Sequence, residues 1–149
     1  MTQSRPGPTS RTPRHLWVIG IVALLWNCIG AFDYVMTQTK NAAYMSAFPP
    51  EQLAWFYGLP AWVIAAWAIA VWGGVLGSVL LLLRRRLAVP VFLVSLVGLA
   101  VTTFHNYVLS NALEIFPDTF SKAFTLVIIA IALGLFFYSR AMDRRGVLL

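Results

Sequence analysis

The chain has 149 residues, of which 60% are hydrophobic, 14% aromatic and only 11% charged. Soluble domains carry about a quarter charged residues, so this composition, with a mean hydropathy of +0.78, excludes an ordinary soluble globule and predicts an integral membrane protein. The net charge of +6 does not point to nucleic acid, because the basic residues flank apolar runs instead of forming one patch.

Residues 1–13, MTQSRPGPTSRTP, are rich in Pro, Ser, Thr and Arg. Such a segment buries too little apolar surface to order itself, and a disordered tail is expected. The first apolar run, Leu16 to Met36, is long enough to cross a bilayer, which takes about 20 residues at about 1.5 Å each. A cleaved signal peptide is the competing reading. It is weakened because no A-x-A site follows and Leu25-Trp26-Asn27 before Cys28 makes no lipobox. Cys28 is the only cysteine and reads as a core residue. Helices in lipid associate through close packing and hydrogen bonds, so a stripe of small and polar residues marks a packing face. Here it is Gly20, Ala23, Asn27, Gly30, Ala31 and Tyr34. Asp33 falls about 120° off that stripe at about 100° per residue.

The connection to the next run holds Pro50-Glu51-Gln52-Leu53-Ala54-Trp55-Phe56-Tyr57. Pro at the first position and an acid in the first turn predict a short helix lying on the bilayer or capping the bundle. Trp55 and Trp62 suit an interfacial aromatic belt. The second run, Pro60 to Leu83, has the stripe Ala66, Ala70, Gly73, Gly77. The third, Ala88 to Tyr107, has Ser95, Gly98, Thr102 and Asn106; the fourth, Phe120 to Tyr138, has Ala123, Ala130, Gly134 and Ala141. No period-2 alternation appears, so these are helices and not barrel strands. The expected fold is an all-α integral-membrane four-helix bundle over residues 14–145, with 146–149 as a tail.

Arg5, Arg11, Arg14, Arg84, Arg85, Arg86, Arg140, Arg144 and Arg145 all fall at one end of the bundle, and Lys40 and Lys122 at the other with Asp33, Glu51, Glu114 and Asp118. The positive-inside rule then predicts both termini in the cytoplasm. Asp33-Tyr34-Val35-Met36-Thr37 is echoed by Asn106-Tyr107-Val108-Leu109-Ser110, each followed by a Phe-Pro and an acid. Two hairpins of one orientation, a pseudo-repeat, would produce this; chance likeness between amphiphilic helix ends explains it equally.

Ionisable and amide groups in a membrane are functional candidates because burying them is costly. Asn27, Asp33, Tyr34, His105 and Asn106 are the candidates for ligand binding. Asp33 and His105 have two readings: a pair joining the first and third spans, or markers of the ends of those spans. Asn27 lies deeper and should hydrogen-bond across the bundle. No phosphate loop, HExxH, CxxC or paired haem histidines occur. No enzyme activity, metal or cofactor is therefore expected.

The run Leu25-Trp26-Asn27-x-x-Gly30-x-x-Asp33-Tyr34-Val35-Met36-Thr37-Gln38-Thr39-Lys40-Asn41, with Val71-Trp72-Gly73-Gly74-Val75-Leu76-Gly77-Ser78 before the arginines, resembles a family of small four-helix proteobacterial inner-membrane proteins. Some of its members are labelled sugar transporters. The resemblance spans residues 16–145 and implies inner-membrane localisation and transport of a small solute. Four helices leave little room for a water-filled path, so transport would need a homo-oligomer. The alternative is an accessory protein whose stripes bind the helices of a partner membrane protein.

Overall fold

The computed structural model describes residues 12–149. Residues 1–11 of the expected tail lie outside the described residues. Four long helices dominate: α1 (Arg14–Gln38), α4 (Ala61–Leu82), α5 (Ala88–Phe104) and α7 (Thr119–Arg144). Three short ones, α2 (Ala42–Met45), α3 (Pro50–Tyr57) and α6 (Ala112–Ile115), lie in the connections. No strand occurs among the described residues. The fold is an all-α bundle, and its four long helices are long and apolar enough to cross a membrane.

The boundaries follow local chemistry. Pro13, Pro49 and Pro60 precede α1, α3 and α4 in extended conformation. Asp118 caps α7 by accepting the Ser121 amide at 3.0 Å. Burial is absent at that carboxyl, yet the Ser121 hydroxyl and amide hold it below the usual carboxylate range. The third span runs further than the sequence indicated. After Phe104 the chain makes one π-helical turn, His105–Leu109, which carries the apolar segment to Leu109. Such a turn adds a residue to the helical repeat and so rotates the facing of the side chains beyond it.

α4 packs on both α1 and α5, and α7 leans on α5. The α4–α5 contact is the closest because its small residues meet backbone. A Cβ on Gly98 would stand 2.7 Å from the Ala66 carbonyl oxygen. Gly73 faces Ser95, Gly77 faces the Phe92 ring, and Ser95 Oγ donates to the Ala70 carbonyl at 2.6 Å. On α1, Gly20, Ala23 and Ala31 are buried as their stripe requires. Gly30 is less demanding, since a Cβ there would meet Val71 at an ordinary 3.8 Å.

The α7 stripe is a correction. Ala123, Ala130 and Gly134 are exposed, and a Cβ on Gly134 would meet nothing within 4 Å. The inward face instead carries Thr125, Ile128, Ala132, Leu135, Ser139 and Met142. These alternate three and four residues apart, as one helix face does. α7 stands farther from its neighbours than α4 does, so larger side chains fill its inner face and small ones turn outward.

The segment after α7 is not a free tail. Gly146 takes φ 72° and turns the chain back. The Leu149 amide donates to the Arg84 carbonyl at 2.6 Å, and the Arg86 amide donates to the Leu149 carbonyl at 3.0 Å. Val147 and Leu148 are thereby buried among Leu16, Leu81, Ala88, Phe92, Leu135 and Met142. This is an apolar plug at the arginine end. Arg86 and Asp143 approach to 3.0 Å beside it.

Candidate functional site

Because α1 and α7 do not close on one another, the bundle holds a partly open cavity of about 600 Å³ in its other half. All four long helices line it. Phe92 and Leu135, which belong to the plug, form its floor. Its roof is an aromatic cluster from the short helices. Tyr44 meets Phe48, Phe48 meets Phe56, and Phe56 meets Trp55 and Phe116, with ring centroids 5.4–6.1 Å apart. Trp55 also meets Phe116 at 5.3 Å. α3 is therefore a cap on the bundle, and Trp55 packs within that cap. Trp55 Nε1 donates to Ser110 Oγ at 2.9 Å and Gln52 Nε2 to the Ile115 carbonyl at 3.4 Å, which ties α3 to the α6 side.

Few polar groups face this space, and they sit at distinct depths. Asn27 is deepest. Its Nδ2 donates to the Ala23 carbonyl at 2.8 Å and to Ser78 Oγ at 3.2 Å, while Ser78 Oγ donates to the Gly74 carbonyl at 2.8 Å. The expected bond across the bundle is thus made, to α4. Gly74 makes room for it, because any Cβ there would collide with Asn27 Oδ1. Ser95, Thr102, Thr103 and Asn106 come from α5 and its π-turn, and Thr125 from α7. Tyr107 and Thr125 share a hydroxyl–hydroxyl bond of 2.9 Å.

Asp33 lines the roof end and accepts a hydrogen bond from the Tyr44 hydroxyl. It lies more than a helical turn inside α1, which continues to Gln38. Tyr44 lies in the connection, and its hydroxyl is pushed up to about 12, first by burial and then by its bond to Asp33.

Asp33 and His105 do not pair. Among the described residues the one ion pair is Arg86–Asp143. His105 is buried against Trp62, ring centroids 5.4 Å apart, with Nδ1 3.1 Å from Asn106 Oδ1. It does not line the cavity, because it sits off the inward stripe of α5. Tyr34 is also outside the lining; its ring packs edge-on against Trp67 at 4.9 Å. Of the five candidates, the cavity gathers Asn27, Asp33 and Asn106. Tyr44, Trp67, Gly74 and Ser78 were not anticipated as part of this site. The Gly73-Gly74 doublet was the available signal: one glycine serves the α5 contact and the other the α1 contact.

A pocket of this size falls within the range that holds a small organic ligand. Its walls offer aromatic faces from Trp26, Trp55 and Trp67, two side-chain amides and several hydroxyls, with one carboxylate and no Arg, Lys or His. Groups of ≥ 3 residues able to hold a metal ion are absent among the described residues. Comparisons with family models, curated proteins and solved structures find no match for this chain.

Proposed function

We propose that this chain is a multi-pass protein of a bacterial inner membrane that binds a small polar solute, of the sugar class, in the cavity of its bundle and carries it across as an oligomer. The observation that carries this reading is the cavity itself: aromatic faces for the apolar side of a sugar ring, and Asn27, Asn106 and Asp33 for its hydroxyls. The arginine end faces the cytoplasm and the aromatic roof faces outward, as the charge asymmetry supports. Solute would meet the roof first, and the Val147–Leu148 plug would have to yield for passage.

Substituted-cysteine labelling tests this. Cys28 is changed to Ser and Thr103 to Cys, and an impermeant thiol reagent is applied to right-side-out vesicles. Labelling slowed saturably by one monosaccharide supports the reading. Labelling indifferent to every sugar in a broad panel contradicts it.

A second reading rests on the exposed small-residue face of α7 at Ala123, Ala130 and Gly134. It would make the chain an accessory subunit packed on a larger membrane protein through that face. Co-purification of such a protein, lost in Ala130→Phe, would favour it.

A further inference from the structure

The cavity carries an unanswered charge. Asp33 is the one acid in its lining, and no Arg, Lys or His lines it. The other acids of the described chain are accommodated where they stand. Asp143 pairs with Arg86, Asp118 holds the Ser121 amide and hydroxyl, and Glu51 and Glu114 are exposed. Among the described residues Asp33 has one hydrogen bond, from the Tyr44 hydroxyl to Oδ1, and Oδ2 has no protein partner.

The basic groups of the same end are engaged elsewhere. Lys40 Nζ lies 4.8 Å over the Tyr57 ring. Lys122 is exposed at the start of α7, close enough to Asp118 to act on its charge. His105 packs on Trp62, and His15 lies on Tyr138 at the arginine end. Tyr44 does not neutralise the carboxylate either. Its hydroxyl is pushed up to about 12 by burial and by Asp33 itself, so it stays a neutral donor.

Apolar and aromatic walls solvate a bare carboxylate poorly, and a cation beside it restores the balance. The same walls suit that cation, because ring faces attract positive charge. Tyr44 and Phe48 stand together in the lining with centroids 6.1 Å apart, and Trp67 lines it from α4. Asn27 lies six residues before Asp33, about 9 Å along α1. Its amide hydrogens are spent on the Ala23 carbonyl and Ser78 Oγ, which leaves it only an acceptor. The α1 wall therefore accepts hydrogen bonds at both depths, and the solute has to donate them.

We infer that the preferred solute of this cavity is a cation, a hydroxyl-rich primary amine of the amino-sugar class, whose ammonium pairs with Asp33. This rests on the cavity being a sugar-class site and names the charge of its solute. The ammonium takes the free Oδ2 of Asp33, and the hydroxyls reach Asn27 and Asn106. Neutral sugars fit the same space and bind more weakly, because they leave the carboxylate without a counter-charge.

The test is equilibrium binding of radiolabelled glucosamine to the full chain in nanodiscs of zwitterionic lipid, with empty discs subtracted. It is run at about pH 6, where the amine is protonated. Glucose, N-acetylglucosamine and tetraethylammonium are measured beside it. Glucosamine should bind saturably and at least about tenfold more tightly than either neutral sugar. Asp33→Asn should bring the ratio of glucosamine to glucose affinity down to about one. Should that variant fail to fold, the wild-type comparison of charged and neutral sugars decides alone. Glucose or N-acetylglucosamine binding as tightly as glucosamine would overturn the cation while leaving the cavity reading standing. An undiminished ratio in folded Asp33→Asn would overturn the pairing with Asp33. Tetraethylammonium binding as tightly as glucosamine would overturn the hydroxyl-rich amine. Failure of all three sugars to bind would overturn the inference together with the reading beneath it.

Discussion

At Gly98 a single methyl group would stand 2.7 Å from the backbone oxygen of Ala66 and 3.0 Å from the Ala70 nitrogen. Backbone cannot step aside as a side chain can, so Gly98→Ala must part α4 from α5, and overpacking of this kind costs about 1–3 kcal/mol. Its thermal midpoint in detergent should fall by several degrees. Gly134→Ala is the contrast: the added methyl meets nothing, and the midpoint should hold or rise. The sequence marks both glycines alike, as members of small-residue stripes. It does not distinguish them because α7 is apolar on nearly every face, and facing is then decided by tertiary fit. Tyr44 gives a residue-scale prediction in pH. Its hydroxyl is raised above its ordinary value of 10.0 to about 12. A raised folded value stabilises the fold fully below the unfolded value and loses that contribution as pH rises through the folded one. Wild type should therefore exceed Tyr44→Phe in thermal stability at pH 8, with the gap closing between about pH 10 and 12.

Elements were legible where a rule of local chemistry fixes them. The four spans follow from apolar length, α3 from Pro50 and Glu51, and the arginine end from charge. The stripes of α4 and α5 were legible because close helix approach in lipid needs small residues. Two elements were not. The π-turn at His105–Leu109 has no compositional mark, and it carries the third span on to Leu109. Residues 146–149 were read as a tail because four residues carry no periodicity. Their order comes from Gly146 and from paired backbone bonds to the Arg84–Arg86 turn. Leu148 is 2% exposed within the plug, so Leu148→Ala should destabilise by about 2–5 kcal/mol. Chemical denaturation in mild detergent would measure it. Arg86→Ala should cost under about 1 kcal/mol in the same assay, since the Arg86 side chain is 69% exposed and exposed pairs contribute little.

For the whole molecule, composition and charge order were enough to set the class: an all-α bundle with four helices fit to cross a membrane. The cavity was not legible, although three of its polar residues were. Its volume comes from the wide setting of α7 away from α1, which no single helix encodes. Asn27 was the best guide because its depth made an unpaired amide costly, and it is both bonded to Ser78 and exposed to the cavity. The roof and the plug close the two ends with side chains and short segments, while the long helices hold the walls.

The most direct measurement is thermal unfolding of the purified chain across a panel of neutral sugars, with Asn27→Leu and Asn106→Leu beside wild type. The account predicts saturable stabilisation by at least one of them, lost in both variants although each remains folded. A wild type unmoved by every compound, or stabilised equally with both amides removed, would contradict a solute site in this cavity.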